Sequence, residues 1–284
     1  MRRIYHAGLA LTWLVVASVL LLKGLDYYLV PLAERPFAPG HGVFDPTGRV
    51  GNRLGIAGAS MMAIGVVLYS TRKRWPLLSG AGRLRDWLSL HIFLCTLGPF
   101  LVVLHTSFRV SGLVAIAFWS MIVVVASGVI GRYVYVRIPR ALNGNARTCE
   151  ELAAEQQALL ARIREQAGEH ARHLEAWLAS EPVRQPGLLG ALGGALMADL
   201  RTRREQRQIA RVLARVPASG ALREQIQRNL QRHRRLSRER AFIEPFQQLF
   251  LYWHAFHLPL AIVMLLVLAV HVAVAIAFGY GWTP

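Results

Sequence analysis

Apolar residues along the chain are gathered into five blocks, separated by stretches of polar and charged residues. Each block approaches or exceeds the ~20 residues that a helix needs to cross a bilayer. The blocks lie roughly at Ile4–Leu22, Leu54–Ser70, Trp87–Ser107, Leu113–Val136 and Leu249–Phe278. The first block could be the apolar region of a signal peptide, but it is long for that and no small-x-small cleavage site follows closely, so we interpret it as a retained helix. The pattern predicts an all-α, polytopic membrane bundle of about five transmembrane helices.

Positive charge alternates from loop to loop along this pattern. Two arginines precede the first span, five arginine or lysine residues lie in the loop at 71–86, and three arginines, Arg132, Arg137 and Arg140, lie at and after the end of the fourth span. Short loops rich in these residues stay on the cytoplasmic side of a membrane. The sequence therefore predicts a cytoplasmic N-terminus, an external loop at 23–53 and an external C-terminus.

The long segment between the fourth and fifth spans is polar and has helical patterning. We expect helices at about Thr148–Ala179 and Ala195–Val216, and a third helix that ends near Ile243, before Pro245. The chain then divides into transmembrane helices one to four at residues 1–140, a cytoplasmic helical insert at 141–245, and a fifth transmembrane helix with a short external terminus at 246–284.

Small residues in two of the spans predict close helix packing. In the fourth span, Ser127 and Gly131 form a small-xxx-small pair. The second span carries a larger set, which includes Gly55, Gly58 and Gly65. We expect neighbouring helices to approach closely at these positions.

The insert carries much of the formal net charge of +17 in a chain that is 54% hydrophobic. Between Arg201 and Arg240 there are thirteen arginines but only three glutamates, Glu205, Glu224 and Glu239, a balance of +10. Such a surface suits anionic lipid headgroups or an acidic, soluble redox subunit. No nucleic acid partner is expected, because no aromatic residues alternate with the arginines to stack on bases.

The cysteine content limits the kinds of redox centre. The chain has two cysteines, Cys95 in the third span and Cys149 in the insert, and no CxxCH motif. Iron–sulfur clusters are held mainly by sets of cysteines, and c-type haem needs the CxxCH attachment motif. The sequence therefore excludes both kinds of centre within this chain.

Four histidines stand out because they lie inside otherwise apolar spans and share one spacing. His91 and His105 in the third span are fourteen residues apart, and so are His257 and His271 in the fifth. At ~100° per residue, fourteen residues make nearly four turns, so each pair leaves one face of its helix. The two members of a pair are ~21 Å apart along the axis, one in each leaflet.

The chain order predicts which histidines share a leaflet. The third and fifth spans cross the membrane in the same direction, so His91 and His257 lie near the inner surface and His105 and His271 near the outer surface. Two imidazoles on facing helices can bind one haem iron from opposite sides. We therefore expect two haem B groups with bis-histidine iron. The alternative is that the histidines only hydrogen-bond neighbouring helices.

Three further residues are candidates for contact with these groups. Gly98 lies midway between His91 and His105, where a missing side chain leaves room for a flat group. Arg132 is expected to anchor the fourth span at the cytoplasmic surface, to pair with a haem propionate, or both. His254 lies off the face shared by His257 and His271, so we expect it to contact a propionate or a quinone, or to lie among the headgroups.

With these residues, the chain resembles the transmembrane di-haem cytochrome b superfamily, which includes ferric-reductase-like and quinone-linked membrane cytochromes. The two histidine pairs carry the resemblance, and the stretch SGVIGRYVYVRIPR at Ser127–Arg140 is similar to a group of bacterial membrane proteins of this type. The resemblance covers the membrane part only, and no flavin or nicotinamide domain follows it. It implies a place in the bacterial cytoplasmic membrane.

Three functions follow as expectations. The first is a di-haem subunit that carries electrons across the bilayer between a soluble redox partner and membrane quinone. The second is a reductase or oxidase that acts alone on a small acceptor such as ferric iron, superoxide or quinone. The third is a haem-free membrane scaffold that recruits a partner through its arginine-rich insert.

Overall fold

The computed structural model of the chain describes residues 2–78, 80–138, 148–180, 198–214 and 219–278, together with Gly187 and Gly190. All regular structure in this part of the chain is helical, which confirms the predicted fold class. The α-helices are α1 Arg2–Tyr28, α2 His41–Phe44, α3 Arg49–Arg74, α4 Leu84–His105, α5 Gly112–Arg137, α6 Cys149–Ala167, α7 Ala171–Ser180, α8 Ala198–Leu213 and α9 Gly220–Ala277. Short 3-10 turns lie at Arg35–Phe37, Pro76–Leu78 and Gly168–His170.

Five of the described helices are long and apolar enough to cross a membrane. They fall at Ile4–Tyr28, His41–Arg74, Leu84–His105, Val114–Val136 and Gly220–Ala277, which confirms the five predicted spans. Large apolar side chains on these helices point outward, and Leu22, Val129 and Leu266 are each more than 60% exposed. Apolar side chains of this kind are suited to contact with the hydrocarbon region of a bilayer.

The chain forms two compact units. The first comprises Met1–Val129 and Phe256–Pro284, and the second comprises Ile130–Ala255. The first unit therefore contains α1 to α4, most of α5 and the C-terminal part of α9. The second unit contains the helical insert with the parts of α5 and α9 that adjoin it.

Two apolar clusters hold the first unit together. Leu54 on α3 packs with Leu97, Leu101 and Leu104 on α4, and Trp13 of α1 lies against this cluster. A second cluster joins α3, α5 and α9 through long, adaptable methionine side chains. Its buried members are Met62, Met121 and Met264, which come from α3, α5 and α9.

The second unit has an apolar core of its own. Helices α6 to α9 bury six aliphatic side chains together, namely Ile163, Leu174, Ile209, Leu213, Ile226 and Leu230. The first of these helices begins with a capping box, in which the Thr148 side chain accepts from the Glu151 backbone N–H and the Glu151 side chain accepts from Thr148. The expected helical insert is thus present, with a packed core rather than a single solvated helix.

The helix expected at Thr148–Ala179 is interrupted, which corrects the sequence-based prediction. It ends as α6 at Ala167, and α7 begins only at Ala171. Gly168 between them has φ of 52° and ψ of −124°, a backbone conformation with positive φ that glycine adopts without steric cost. The glycine ends α6 and lets α7 fold back so that Leu174 joins the core with Ile163.

A second prediction was wrong at Pro245, where the third helix of the insert was expected to end. Helix α9 runs through this residue without interruption and continues into the fifth span. Ile243 is fully buried on one side of the proline and Phe246 is 97% buried on the other. Burying each such side chain contributes about 1.5–3 kcal/mol, which offsets the roughly 3 kcal/mol cost of a proline inside a helix.

Candidate functional site

The two histidines of α4 both point toward α3. The Nδ1 atom of His91 lies 3.0 Å from the Gly65 carbonyl oxygen, and the Nδ1 atom of His105 lies 2.8 Å from the Gly51 carbonyl oxygen. Both imidazoles are half-buried. The sequence-based expectation that these residues share one face of their helix therefore agrees with the contacts that they make.

The acceptors on α3 follow the same spacing as the histidines. Gly51 and Gly65 are fourteen residues apart and Gly58 lies midway between them, opposite Gly98 of α4. A Cβ atom built on Gly58 would lie 2.6 Å from the Gly98 carbonyl oxygen, and one built on Gly98 would lie 2.7 Å from the Gly58 carbonyl oxygen. Neither position can hold a side chain without a shift of backbone. The close packing predicted from the small residues of the second span is present here.

This contact gives a reason for glycine at position 98. Its missing side chain makes room for α3, because the atoms that a Cβ would meet belong to Gly58, Met61 and Met62. The expectation that Gly98 also leaves room for a flat group stays a prediction.

The glycines of α3 also shape the surroundings of His105. A Cβ atom on Gly55 would lie 2.7 Å from the Nδ1 atom of His105, inside contact distance of the ring. The imidazole can occupy this position only because residue 55 has no side chain.

His257 on α9 has a comparable partner on α5. Its Nδ1 atom lies 2.6 Å from the Ser127 hydroxyl oxygen, and that hydroxyl donates its own hydrogen to the Val124 carbonyl oxygen at 2.8 Å. Ser127 is buried, and a Cβ atom on Gly128 would lie in ordinary contact with His257. Ser127 belongs to the small-xxx-small pair noted in the sequence, and its role as a histidine partner was not foreseen.

These contacts fix how the three rings are protonated. A carbonyl oxygen can only accept a hydrogen bond, and the Ser127 hydroxyl has already given its hydrogen to Val124. The Nδ1 atoms of His91, His105 and His257 are therefore the donors. A neutral imidazole with its hydrogen on Nδ1 has its lone pair on Nε2. Histidines that bind metal are oriented in this way, through a donated bond from the other nitrogen.

His271 lies within electrostatic range of His105. The two residues come from α9 and α4 and both are half-buried. The expectation that these two histidines bind one haem in the outer leaflet stays a prediction.

Arg132 and His254, the other candidate residues, both belong to the second unit. The guanidinium of Arg132 lies 5.8 Å from the centre of the Tyr135 ring. His254 lies among aromatic rings, with ring centroids 5.6 Å from Phe250 and 5.2 Å from Trp253. These positions suit the interface of a membrane, where amphipathic rings and arginines collect. Contact of either residue with a propionate or a quinone stays a prediction.

One residue near the site was missed from the sequence. Arg35 is 96% buried and donates hydrogen bonds to the carbonyl oxygens of Ser107 at 2.5 Å, Tyr28 at 3.0 Å and Val30 at 2.8 Å. Its guanidinium also lies 5.5 Å from the centre of the Tyr27 ring. An arginine in a loop rich in proline and glycine is usually exposed, so its sequence context gave no signal of burial.

The Arg35 side chain connects the ends of α1 and α4 just beyond His105. At this point Ser107 and Phe108 have φ of 48° and 61°, left-handed values that are uncommon for residues other than glycine. Ser107 also donates from its hydroxyl to the Phe44 carbonyl oxygen at 2.9 Å. The bonds from Arg35 and to Phe44 hold this turn in place, and with it the end of the helix that carries His105.

Among the described residues, no three or more histidine, cysteine, aspartate or glutamate side chains cluster in a way that could hold a bare metal ion. Comparison with known proteins adds no assignment: no family model, curated protein or solved structure matches the chain.

Proposed function

We propose that the chain is a di-haem b-type membrane subunit that carries electrons across the bilayer between a soluble redox partner and the quinone pool. The observation that supports it is the set of three histidines whose Nδ1 atoms are all engaged by oxygens of a neighbouring helix. In a neutral ring that donates from Nδ1, the other nitrogen, Nε2, carries the lone pair, and this is the atom that a haem iron binds.

In this proposal His91 and His257 hold one haem B, and His105 and His271 hold the other. A haem held by two histidines would supply one-electron redox chemistry and leave no open site for oxygen, which suits electron transfer. The chain's own part is to fix the rings. The carbonyls of Gly65 and Gly51 and the hydroxyl of Ser127 orient the imidazoles, and the apolar spans around them exclude water.

The remaining roles follow from the predicted topology. The insert lies on the cytoplasmic side of a bacterial inner membrane, Arg132 favours the propionates of the inner haem, and His254 contacts a propionate or a quinone. The insert then receives the soluble partner. A haem iron takes only two ligands from the protein. Its site therefore needs a pair of histidines, rather than the group of three or more side chains that holds a bare metal ion.

A haem-free scaffold is the second candidate. The hydrogen bonds of His91, His105 and His257 also link α4 to α3 and α9 to α5, as polar residues between membrane helices commonly do. In that case the histidines would stabilise the bundle and the insert would recruit a partner.

Haem content separates the two candidates. A pyridine haemochrome assay on the purified chain should give about two haem B per chain, and a value near zero would reject the proposed function. His173→Ala is the matched control, because His173 is an exposed histidine of the insert. It should leave the haem content unchanged.

Single histidine variants then test the pairing. His91→Ala and His257→Ala should perturb the same reduced spectral component, and His105→Ala and His271→Ala should perturb the other. Loss of one component in both His91→Ala and His271→Ala would mean that the parallel arrangement of the two spans is wrong. His254→Ala should keep both haems.

A further inference from the structure

Helix α8 of the insert has two distinct faces. One face buries Ile209 and Leu213, each 99% buried, against Ile226 and Leu230 of α9. One acidic residue of α8, Glu205, is turned toward α9, where it forms an ion pair with Arg238 at 2.6 Å. Ile209, Leu213 and the carboxylate of Glu205 are thus directed into the unit.

The opposite face carries three arginines, Arg204, Arg207 and Arg211, which we name the α8 arginine row. Their spacing of three and four residues places them within about 60° of one another around the helix. All three are exposed, and none forms an ion pair with another described residue. The row is therefore a concentrated positive surface on one side of α8.

Many other arginines of the insert differ, because nearby carboxylates neutralise them. These ion pairs are Arg164–Glu175, Arg228–Glu224, Arg232–Glu155, Arg235–Glu239 and Arg238–Glu205. Arg234 is 95% buried and lies over the Trp177 ring at 4.9 Å. Five carboxylates of the insert thus neutralise arginines outside the row, and none of these ion pairs involves Arg204, Arg207 or Arg211.

We propose that the α8 arginine row is a docking surface for an acidic protein, with carboxylates spaced along a helix to match the row. Neighbours at three or four residues on a helix are about 5–6 Å apart, so glutamates at the same spacing on a partner helix can face the arginines one to one. Guanidinium groups bind carboxylates through two parallel hydrogen bonds, which adds geometric selectivity to the charge. The inference deepens the proposed function by naming where a soluble redox partner binds.

A lipid surface fits the row less well. A helix that lies on a membrane inserts its apolar face among the acyl chains. The apolar face of α8 is already occupied, since Ile209 and Leu213 are in the core of the insert. Only exposed charge remains to attract headgroups, without an apolar anchor beside it. A partner protein needs no such anchor, because carboxylates can align with the row itself.

The test uses the full chain in nanodiscs of phosphatidylcholine, which carry no net charge. The probe is a fluorescent helical peptide with glutamates at every third and fourth position along one face, and binding is measured by fluorescence anisotropy. The row variant is Arg204→Gln/Arg207→Gln/Arg211→Gln. The control variant, Arg162→Gln/Arg172→Gln/Arg240→Gln, removes the same charge from other exposed positions of the insert.

We expect the row variant to bind the peptide about tenfold more weakly, as the loss of three exposed ion pairs implies. The control variant should change binding by less than twofold. Equal loss in both variants would show that only total charge matters, and no loss in the row variant would show that the row is not the docking surface. Either result overturns the inference.

A second arm compares the peptide with vesicles that contain phosphatidylglycerol. If the row variant loses vesicle binding but keeps peptide binding, the surface recognises lipid and the inference is wrong. Circular dichroism of both variants checks that the insert remains helical. Peptide binding does not require haem, so a chain without haem that still binds through the row would reject the proposed function and leave the docking surface intact.

Discussion

The Nδ1 atom of His257 on α9 lies 2.6 Å from the hydroxyl oxygen of Ser127 on α5. The serine hydroxyl is held in turn by the Val124 carbonyl, so the imidazole is the donor of this bond. A bond donated from Nδ1 sets the direction of Nε2, and the serine thereby orients the imidazole ring of His257.

Replacing Ser127 should therefore disturb one haem and leave the other unchanged. We expect Ser127→Ala to weaken binding of the haem held by His257 by about 10–100-fold, the usual effect of losing the partner of a ligating histidine. Ser127→Thr keeps a hydroxyl and should retain most of the binding. Haem occupancy and reduced spectra measure both variants, and identical behaviour of alanine and threonine would contradict the assignment.

The close approach of α3 and α4 predicts a strong effect of a single methyl group. Gly98→Ala places a Cβ atom 2.7 Å from the Gly58 carbonyl oxygen, which the helices can relieve only by moving apart. We expect a loss of about 1–3 kcal/mol in unfolding free energy, typical of overpacking. Gly8→Ala is the control, since a Cβ atom there meets no atom within 4 Å. Thermal unfolding in detergent should separate the two variants, and equal midpoints would show that the contact is not tight.

Arg35 should be among the most sensitive residues of the segment between α1 and α3. Arg35→Leu leaves the carbonyl oxygens of Tyr28, Val30 and Ser107 without their donor inside the protein, at a cost of roughly 3 kcal/mol or more. Arg109→Gln is the comparison, because Arg109 is 40% exposed and its ion pair with Asp45 spans 3.8 Å. A surface pair of this kind contributes less than about 1 kcal/mol. A milder effect of Arg35→Leu than of Arg109→Gln would mean that the buried bonds do not stabilise the loop.

His233 in the insert predicts a response to acid. Burial and the neighbouring Arg234 lower its pKa below the ordinary value of 6.5. The Gln156 side-chain amide lies 3.2 Å from the Nε2 atom of His233 and donates to Ser237 as well. Protonation of the ring would replace this contact by a clash of two donors and add a second cation beside Arg234.

The direction of this pKa shift determines how the stability of the insert changes with pH. The pKa of His233 is lower in the folded chain than in the unfolded chain. The stability of the insert that depends on neutral His233 is therefore fully present above pH about 6.5 and is lost as the pH falls through the folded pKa. Hydrogen-exchange protection factors of insert peptides in the full chain, which correct for the intrinsic pH dependence of exchange, should fall as the pH is lowered from 7.5 to 5.5. His233→Gln should flatten this dependence, whereas the exposed His173→Gln should not. An unchanged slope in His233→Gln would assign the acid response to other groups.

Cys149 provides a test of the predicted topology. In a Cys95→Ser background it is the remaining thiol, located at the first residue of α6 and half-buried. If the insert is cytoplasmic, a membrane-impermeant thiol reagent should fail to label it in intact cells and should label it after lysis. Labelling before lysis would place the insert on the opposite side.

The large-scale organisation of the chain could be predicted because it depends on composition over many residues. Five apolar blocks and one spacing of fourteen identified the spans and brought His91 and His105 onto one face. Glycines of the second span predicted close packing, and Gly58 and Gly98 meet in this way. None of these predictions required information about which helices are neighbours.

Features that depend on tertiary neighbours could not be predicted. Pro245 reads as a helix end, yet the burial of Ile243 and Phe246 keeps α9 continuous. Arg35 reads as a surface residue until its three carbonyl partners are brought together from two distant segments. Gly168 is different, because a glycine after an apolar stripe is a recognised helix end, and its signal was present in the sequence.

Helix α3 supplies the acceptors of both His91 and His105 through carbonyls fourteen residues apart. A sliding movement of α3 along its axis would change both hydrogen bonds at once. Such a movement therefore cannot alter the hydrogen bond of one imidazole without altering that of the other. A disturbance that reaches α3 at one membrane surface is therefore transmitted over ~21 Å to the other. Under the proposed function, such a movement of α3 would change the surroundings of both haem sites together.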